Sequence, residues 1–434
     1  MTSEPPESSS ADADFHRRLR IYRALALIAV ALIVIGSCIP QITHRDGDPE
    51  VFVTAARALL HGQDIYLVLS PHARYFYYPP FFAALNIPLI PLPVVALIIL
   101  WCIASVALQG WSTAAFYSGM TGRPFFSLPA RERWVVCFLS TLLTARFTLL
   151  HLRFGQSNIF VLALAVLGLT WLSKRHEVRS GIAIGLSMLV KLTTLPFGVL
   201  FLAKFRRRVL LGLALGVLVA VLLPATIVGL RQDLNYHSEW ARTVALTDPP
   251  GAGSWSGTGN VSPRAQLDRF FLNADAFIYQ GQPYRVTLVS LPRKLVRLIS
   301  YLTMLAVALI IVCYAVRFRN APALVSQWGG FALVFSLIPN FSPVAEIPHL
   351  VLLLPAYVYV VHVWYFWLTS DRIFHGLVVL SFIFASLTTR SVCGLFVSDV
   401  LTAYGAITLG MILLSAAIWR AGECIQREMC LKTR

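Results

Sequence analysis

Charge is scarce in this chain and uneven in sign. Only 13% of its 434 residues are charged, and 20 Asp and Glu stand against 36 Lys and Arg. A soluble globular domain is about a quarter charged, so this scarcity argues against one. Alternating apolar segments of roughly 10 residues are also missing, which argues against a transmembrane barrel. No Rossmann-type glycine pattern follows a strand-like run, so no soluble nucleotide-binding domain is expected. Cysteines are few: Cys38, Cys102, Cys137, Cys313, Cys393, Cys424 and Cys430. No two of them fall in the outer loops placed below, so no structural disulfide is expected. Neither cysteine nor histidine shows zinc-type spacing. The net charge of +16 would suggest nucleic acid in a soluble protein. Here it reads as loop charge, and no nucleic-acid partner is expected.

What the chain has instead is apolar length. It is 57% hydrophobic with a mean hydropathy of +0.71. Several uncharged runs of roughly 17–25 residues match the length needed to cross about 30 Å of hydrocarbon. The expected fold class is an all-α polytopic membrane bundle of about 12 spans. They are read at 21–40, 94–117, 134–150, 158–173, 180–191, 193–204, 208–228, 295–316, 322–338, 348–368, 372–388 and 400–420. Lys and Arg concentrate in the segments that face inward when the N-terminus is cytoplasmic, which sets the orientation. Residues 180–203 are too short for two full spans and read as a pair of short or re-entrant helices, with Lys191 near the outer side. The proline-rich "YYPPFFAALNIPLIPLP" (77–93) reads as a helix lying on the outer membrane surface. Residues 1–16 are expected to be a disordered cytoplasmic tail, 17–420 the membrane domain and 421–434 a second cytoplasmic tail. Two long outer segments, 41–93 and 229–294, are where function is expected.

The stretch "RDGDPEVFVTAARALL" opens the first of these. Val51, Phe52, Ala55 and Leu59 share a helical face. Pro49 suits a first helical position, Asp48 an N-cap, and Gly62 a helix end. Capping alone accounts for Asp48, yet a rigid carboxylate at a membrane surface can also serve as a general base. Asp46 lies further out, beside Arg45, and is not expected to act. Other polar groups sit at membrane depth. Gln156 and Asn158 enter a span in "RFGQSN", where helix capping by Ser157 or Asn158 is an equally good explanation. Lys191 interrupts an apolar run, and Arg146 and Arg297 fall within spans. Intramembrane charge marks an anion or ion path by default, with snorkelling to the interface as its rival. In "GSWSGTGNVSPRAQLDRFF" a Gly/Ser loop offers Asn260 and Ser262 to hydroxyls or phosphate, and Arg264 and Arg269 are candidate anion clamps. Glu346 and His349 precede a span in "NFSPVAEIPHLVLLLPA".

Taken in order, these segments resemble glycosyltransferase family 87, membrane enzymes of the GT-C fold that use polyprenol-phosphate sugars. The matching pieces are "DPEVFVTAARALLHGQDIY", "YYPPFFAALNIPLIPLP", "GQSN", "GLSMLVKLTTLPF", "GNVSPRAQLDRF" and "SPVAEIPHLVLLLPA", over about 20–370. Phe52, Val261 and "VAEIPH" depart from the family pattern, which bears on substrate contacts. The resemblance implies Asp48 as catalytic base. It implies His349, Arg269, Lys191, Gln156, Asn158, Asn260, Ser262, Glu346 and Tyr78 as substrate contacts. The reaction would be an inverting transfer of mannose from a polyprenyl-phosphate donor. The acceptor would be a glycolipid or polysaccharide on the outer face, with no cofactor and no obligatory metal. Two other readings stay open: an arabinofuranosyltransferase with a polyprenyl-phosphate pentose, and a lipid or solute transporter.

Overall fold

The computed structural model describes residues 8–45, 47–70, 74–242, 256–342, 344–368 and 370–432. It is an all-α polytopic membrane protein. Among the described residues, eight helical stretches are long and apolar enough to cross a membrane: Ala24–His44, Val94–Thr121, Ala130–Phe154, Arg207–Val228, Arg293–Arg317, Leu324–Phe341, Ile347–Phe366 and Ala406–Met429. The other four expected spans fall on shorter helices, as the charge-bounded lengths of their segments dictate.

The first five helices are α1 (Ser8–His44), α2 (Asp48–Leu60), α3 (Pro80–Leu85), α4 (Val94–Thr121) and α5 (Ala130–Phe154). Helix α1 begins inside the tail expected to be disordered. No proline interrupts it before Pro40. Segment 77–93 is not a span. It forms α3 and a single 3₁₀ turn, Ile87–Leu89. Phe81 and Phe82 are buried in the protein rather than laid on lipid, with the Phe82 ring 4.8 Å from Phe52.

Next come α6 (Asn158–Ser173), α7 (Glu177–Val190), α8 (Pro196–Ala203) and α9 (Arg207–Leu222). A 3₁₀ turn, Leu192–Thr194, separates α7 from α8, and Lys191 between them is extended. This is the expected pair of short helices. Helices α7 and α9 cross backbone to backbone through two facing small-residue motifs, Gly181–Gly185 and Gly212–Gly216. A Cβ on Gly181 would land on the carbonyl oxygen of Val209, and one on Gly212 on that of Val178. Apolar lipid offers little drive for helices to associate, so close backbone packing supplies it.

The second half holds α10 (Ala225–Val228), α11 (Leu230–Trp240), α12 (Pro263–Phe271) and a hairpin of β1 (Asp275–Tyr279) and β2 (Gln282–Arg285). After it come α13 (Arg293–Arg317), α14 (Gly330–Phe341), α15 (Leu354–Phe366), α16 (Arg372–Phe382), α17 (Arg390–Cys393), α18 (Leu395–Ala403) and α19 (Ala406–Lys432). The spans containing α14 and α15 are 78% and 83% buried and form the centre of the bundle. Helices α9 and α13 present exposed leucines, Leu211, Leu218, Leu298, Leu302 and Leu305 among them, as lipid-facing helices should.

Candidate active site

Helix α2 is buried on nearly every side, so its first turn is held firmly. The N-cap position falls to Gly47, with Asp48 as the first helical residue. This corrects the expectation that Asp48 is the cap: Gly47 takes the extended backbone that a cap needs. The Asp48 carboxylate instead meets Arg74, whose Nη1 donates to Oδ1 at 3.0 Å. Asp46 lies outside the described residues. Gly155 explains how α2 reaches the rest of the site. It ends α5 with φ +64, and a Cβ there would stand 2.6 Å from the Pro49 ring. Only a glycine lets the start of α2 close on Gln156, the next residue.

From Gln156 the polar groups form a closed ring. Gln156 Nε2 donates to Glu346 Oε2 at 2.7 Å. Asn158 Nδ2 donates to Gln156 Oε1 at 2.6 Å. Lys191 Nζ donates to Asn158 Oδ1 at 3.2 Å and lies 2.6 Å from His349 Nε2. The Glu346 N–H closes the ring by donating to His349 Nδ1 at 3.2 Å. With Nδ1 accepting from Glu346, the ring proton sits on Nε2, so the 2.6 Å contact needs the lone pair of an uncharged Lys191 amine. The break between α7 and α8 delivers Lys191, and the capping turn before α15 delivers His349. Ser157, at the N-cap of α6, makes no capping bond, and Asn158 spends its amide on the ring rather than on a cap. Tyr78 lies beneath, its ring 5.3 Å from Lys191 Nζ and edge-on to Phe52 at 5.2 Å. Burial and the nearby Asp48 charge push its phenol pKa well up, so it stays protonated.

The Gly/Ser loop arrives from the other side. Asn260 pairs antiparallel with Glu346, and its Oδ1 accepts from the N–H groups of Ser262 and Ala345, both at 3.0 Å. Two expected contacts prove to be fasteners. Ser262 is fully buried and caps α12, accepting from Ala265 N–H at 3.2 Å. Arg269 is fully buried and does not reach the cavity. Its guanidinium donates to the carbonyls of Ser256, Gly257 and Asn260 and to Gln266 Oε1. Burial lowers its pKa to about 10, which leaves it charged at neutral pH. It shapes the loop instead of clamping an anion, because the loop's own turns leave three carbonyls to satisfy. Arg264, the other expected clamp, is half-buried on α12 and does not line the cavity.

Asp48, Arg74, Tyr78, Gln156, Lys191, Asn260, Glu346 and His349 all line one cavity of about 1420 Å³. That exceeds the roughly 300–1,000 Å³ usual for a single small ligand. Its walls are otherwise mainly apolar, from Leu142, Leu149 and Phe154 of α5 to Phe382 and Leu387. The arrangement can take a proton at Asp48 and meet negative charge at Lys191 and His349 in one space. Arg74 was not among the residues expected from the sequence, where an arginine in a polar stretch carries no distinguishing signal. Among the described residues no group of three His, Cys, Asp or Glu is placed to hold a metal.

Fold and site together define a polytopic membrane protein with one cavity large enough for two substrates. The model of glycosyltransferase family 87 matches residues 76–343, more than half of the chain. The chain belongs to that family and is a membrane glycosyltransferase. No curated protein matches it, and no solved structure does. Tyr78, Gln156, Asn158, Lys191 and Asn260 lie within the matched residues, while Asp48, Glu346 and His349 lie outside them.

Proposed function

We propose that the protein is an inverting glycosyltransferase of the GT-C type. It moves mannose from a polyprenyl-phosphate donor to a hydroxyl of a glycolipid or polysaccharide on the outer face of the membrane. The observation that carries this reading is that Asp48 and the Lys191–His349 pair line the same cavity. An acceptor hydroxyl gives its proton to the Asp48 carboxylate while its oxygen attacks the anomeric carbon from the side opposite the phosphate. The anomeric carbon–oxygen bond to phosphate breaks, and the leaving lipid phosphate keeps the electron pair. Lys191 and His349 meet that charge where it develops. Arg74 aims the carboxylate and must loosen its hold as the proton arrives. Gln156, Asn260 and Glu346 offer amide and carboxylate groups to sugar hydroxyls, and Tyr78 a ring face; Asn158, expected as a contact, is fully buried off the cavity wall and holds Gln156 and Lys191 in place.

Apolar cavity walls support a lipid-linked donor over a water-soluble nucleotide sugar. The test offers purified protein three radiolabelled donors: polyprenyl-phosphate mannose, polyprenyl-phosphate arabinose and a nucleotide-linked mannose. Label should pass to lipid acceptor from the first alone. Transfer from the second would change the sugar and keep the mechanism, and transfer from the third would end the proposal.

A further inference from the structure

Arg146 is a charge with no carboxylate partner among the described residues, in a helix long and apolar enough to cross a membrane. It lies eight residues before the end of α5, about 12 Å down the helix at 1.5 Å per residue. Its only hydrogen bonds among the described residues come from one nitrogen. Nη1 donates to Ala385 O at 2.9 Å and to Thr388 Oγ1 at 3.0 Å. No carboxylate pairs with it among the described residues. The guanidinium is half-buried and lines the same cavity as Asp48. Among the described residues it makes no hydrogen bond or ion pair to the ring at Lys191, its bonds going to Ala385 and Thr388 instead. Its two acceptors belong to the π-helical segment Ile383–Leu387 and the residue after it. Such segments open the regular ladder and are frequent at functional sites. Beside them Arg390 is held by Asp399 through three bonds of 3.0–3.2 Å, so that pair is already neutralised. The hydroxyls of Ser391 and Thr402 complete this end of the cavity, and Leu142 and Leu149 on the flanking turns of α5 are each 45% exposed.

An unmatched guanidinium at this depth is costly unless an anion joins it. We propose that Arg146 is the centre of a second anion subsite, which takes the phosphate of a membrane lipid whose chains lie over Leu142 and Leu149. This deepens the glycosyltransferase reading and rests on it. A donor phosphate must sit beside the reacting carbon, which is the place of Lys191 and His349. The guanidinium farther down α5 can therefore serve a second lipid phosphate, that of the acceptor or of a donor on its way in.

The test measures binding in uncharged detergent, without turnover. The probes are a polyprenyl monophosphate, phosphatidylinositol and, as an uncharged control, diacylglycerol. Arg146→Gln should weaken one or both phosphate lipids at least about tenfold and leave diacylglycerol unchanged. Loss of phosphatidylinositol alone marks the acceptor's phosphate, and loss of the polyprenyl monophosphate marks the donor's. Arg146→Lys and Thr388→Val, which keep the charge and disturb the contact with the π-helical segment, should each stay within about threefold of the parent. Equal loss for diacylglycerol, a Thr388→Val defect as large as that of Arg146→Gln, or no change for either phosphate lipid would overturn the subsite. Normal binding with no sugar transfer by the parent protein would overturn the function instead.

Discussion

At the residue scale, the same kind of side chain does opposite work in His349 and Arg269. His349 is 4% exposed but opens onto the cavity beside Lys191. Arg269 is turned inward onto three carbonyls. His349→Ala should slow turnover at least about 100-fold, the cost of losing one well-placed donor to a developing oxyanion. Its thermal midpoint in detergent should move only a few degrees. Arg269→Gln should do the reverse first: each buried carbonyl left unsatisfied costs about 1–3 kcal/mol, so the midpoint should fall clearly. Thermal scans beside initial rates for the two variants check the contrast. The order of the family-like motifs brought Gln156, Asn158, Lys191, Glu346 and His349 onto one list, although singly each had an ordinary use as a cap, a snorkelling charge or a hydrated interfacial group. It could not separate Arg269 from them. An arginine in an outer loop looks the same whether it waits for an anion or fastens its own turn.

Elements carry these residues, and the breaks between elements matter as much as the helices. Lys191 is presented by the interruption between α7 and α8, and α7 is fixed by its glycine crossing with α9. Gly212→Leu should separate the two helices, lower the folded yield and displace Lys191. Gly110→Leu, on α4 where a Cβ meets nothing within 4 Å, should be tolerated. Size-exclusion profiles and transfer rates of the two variants decide it. The short-helix pair was legible from the sequence because a single span over 180–203 would have set "KFRRR" against the charge rule. The hairpin of β1 and β2 was not read, although Gln280 and Gly281 carry the positive φ angles that a tight two-residue turn requires. Its strands are too short to stand out between apolar helices. The π-helical segment was invisible for a different reason: nothing in "IFASL" departs from ordinary helix composition.

For the whole molecule, the account requires that the polar groups gather at one end of the bundle and that this end faces outward. Cysteines placed at Gln63 and Gln282, both exposed and on segments beside the cavity, should react with a membrane-impermeant thiol reagent in intact cells. Cysteines at Ser127 and Ser173, exposed at the opposite end, should react only after lysis. The reverse pattern would put the site in the cytoplasm and remove the reason for a lipid-linked donor. Fold class was legible because apolar length is a coarse signal that survives any detail of packing. The number of full crossings was not, since α6, α7, α8 and α16 are too short to decide by length.

The central claim is that Asp48 takes the acceptor's proton, and the most direct measurement is the rate of sugar transfer by Asp48→Asn. The substitution keeps the size of the side chain and can still accept from Arg74, so the fold should hold. Removing a general base should slow transfer about 100- to 10,000-fold, with donor lipid bound as before. A variant that transfers sugar at close to the parental rate would contradict the account.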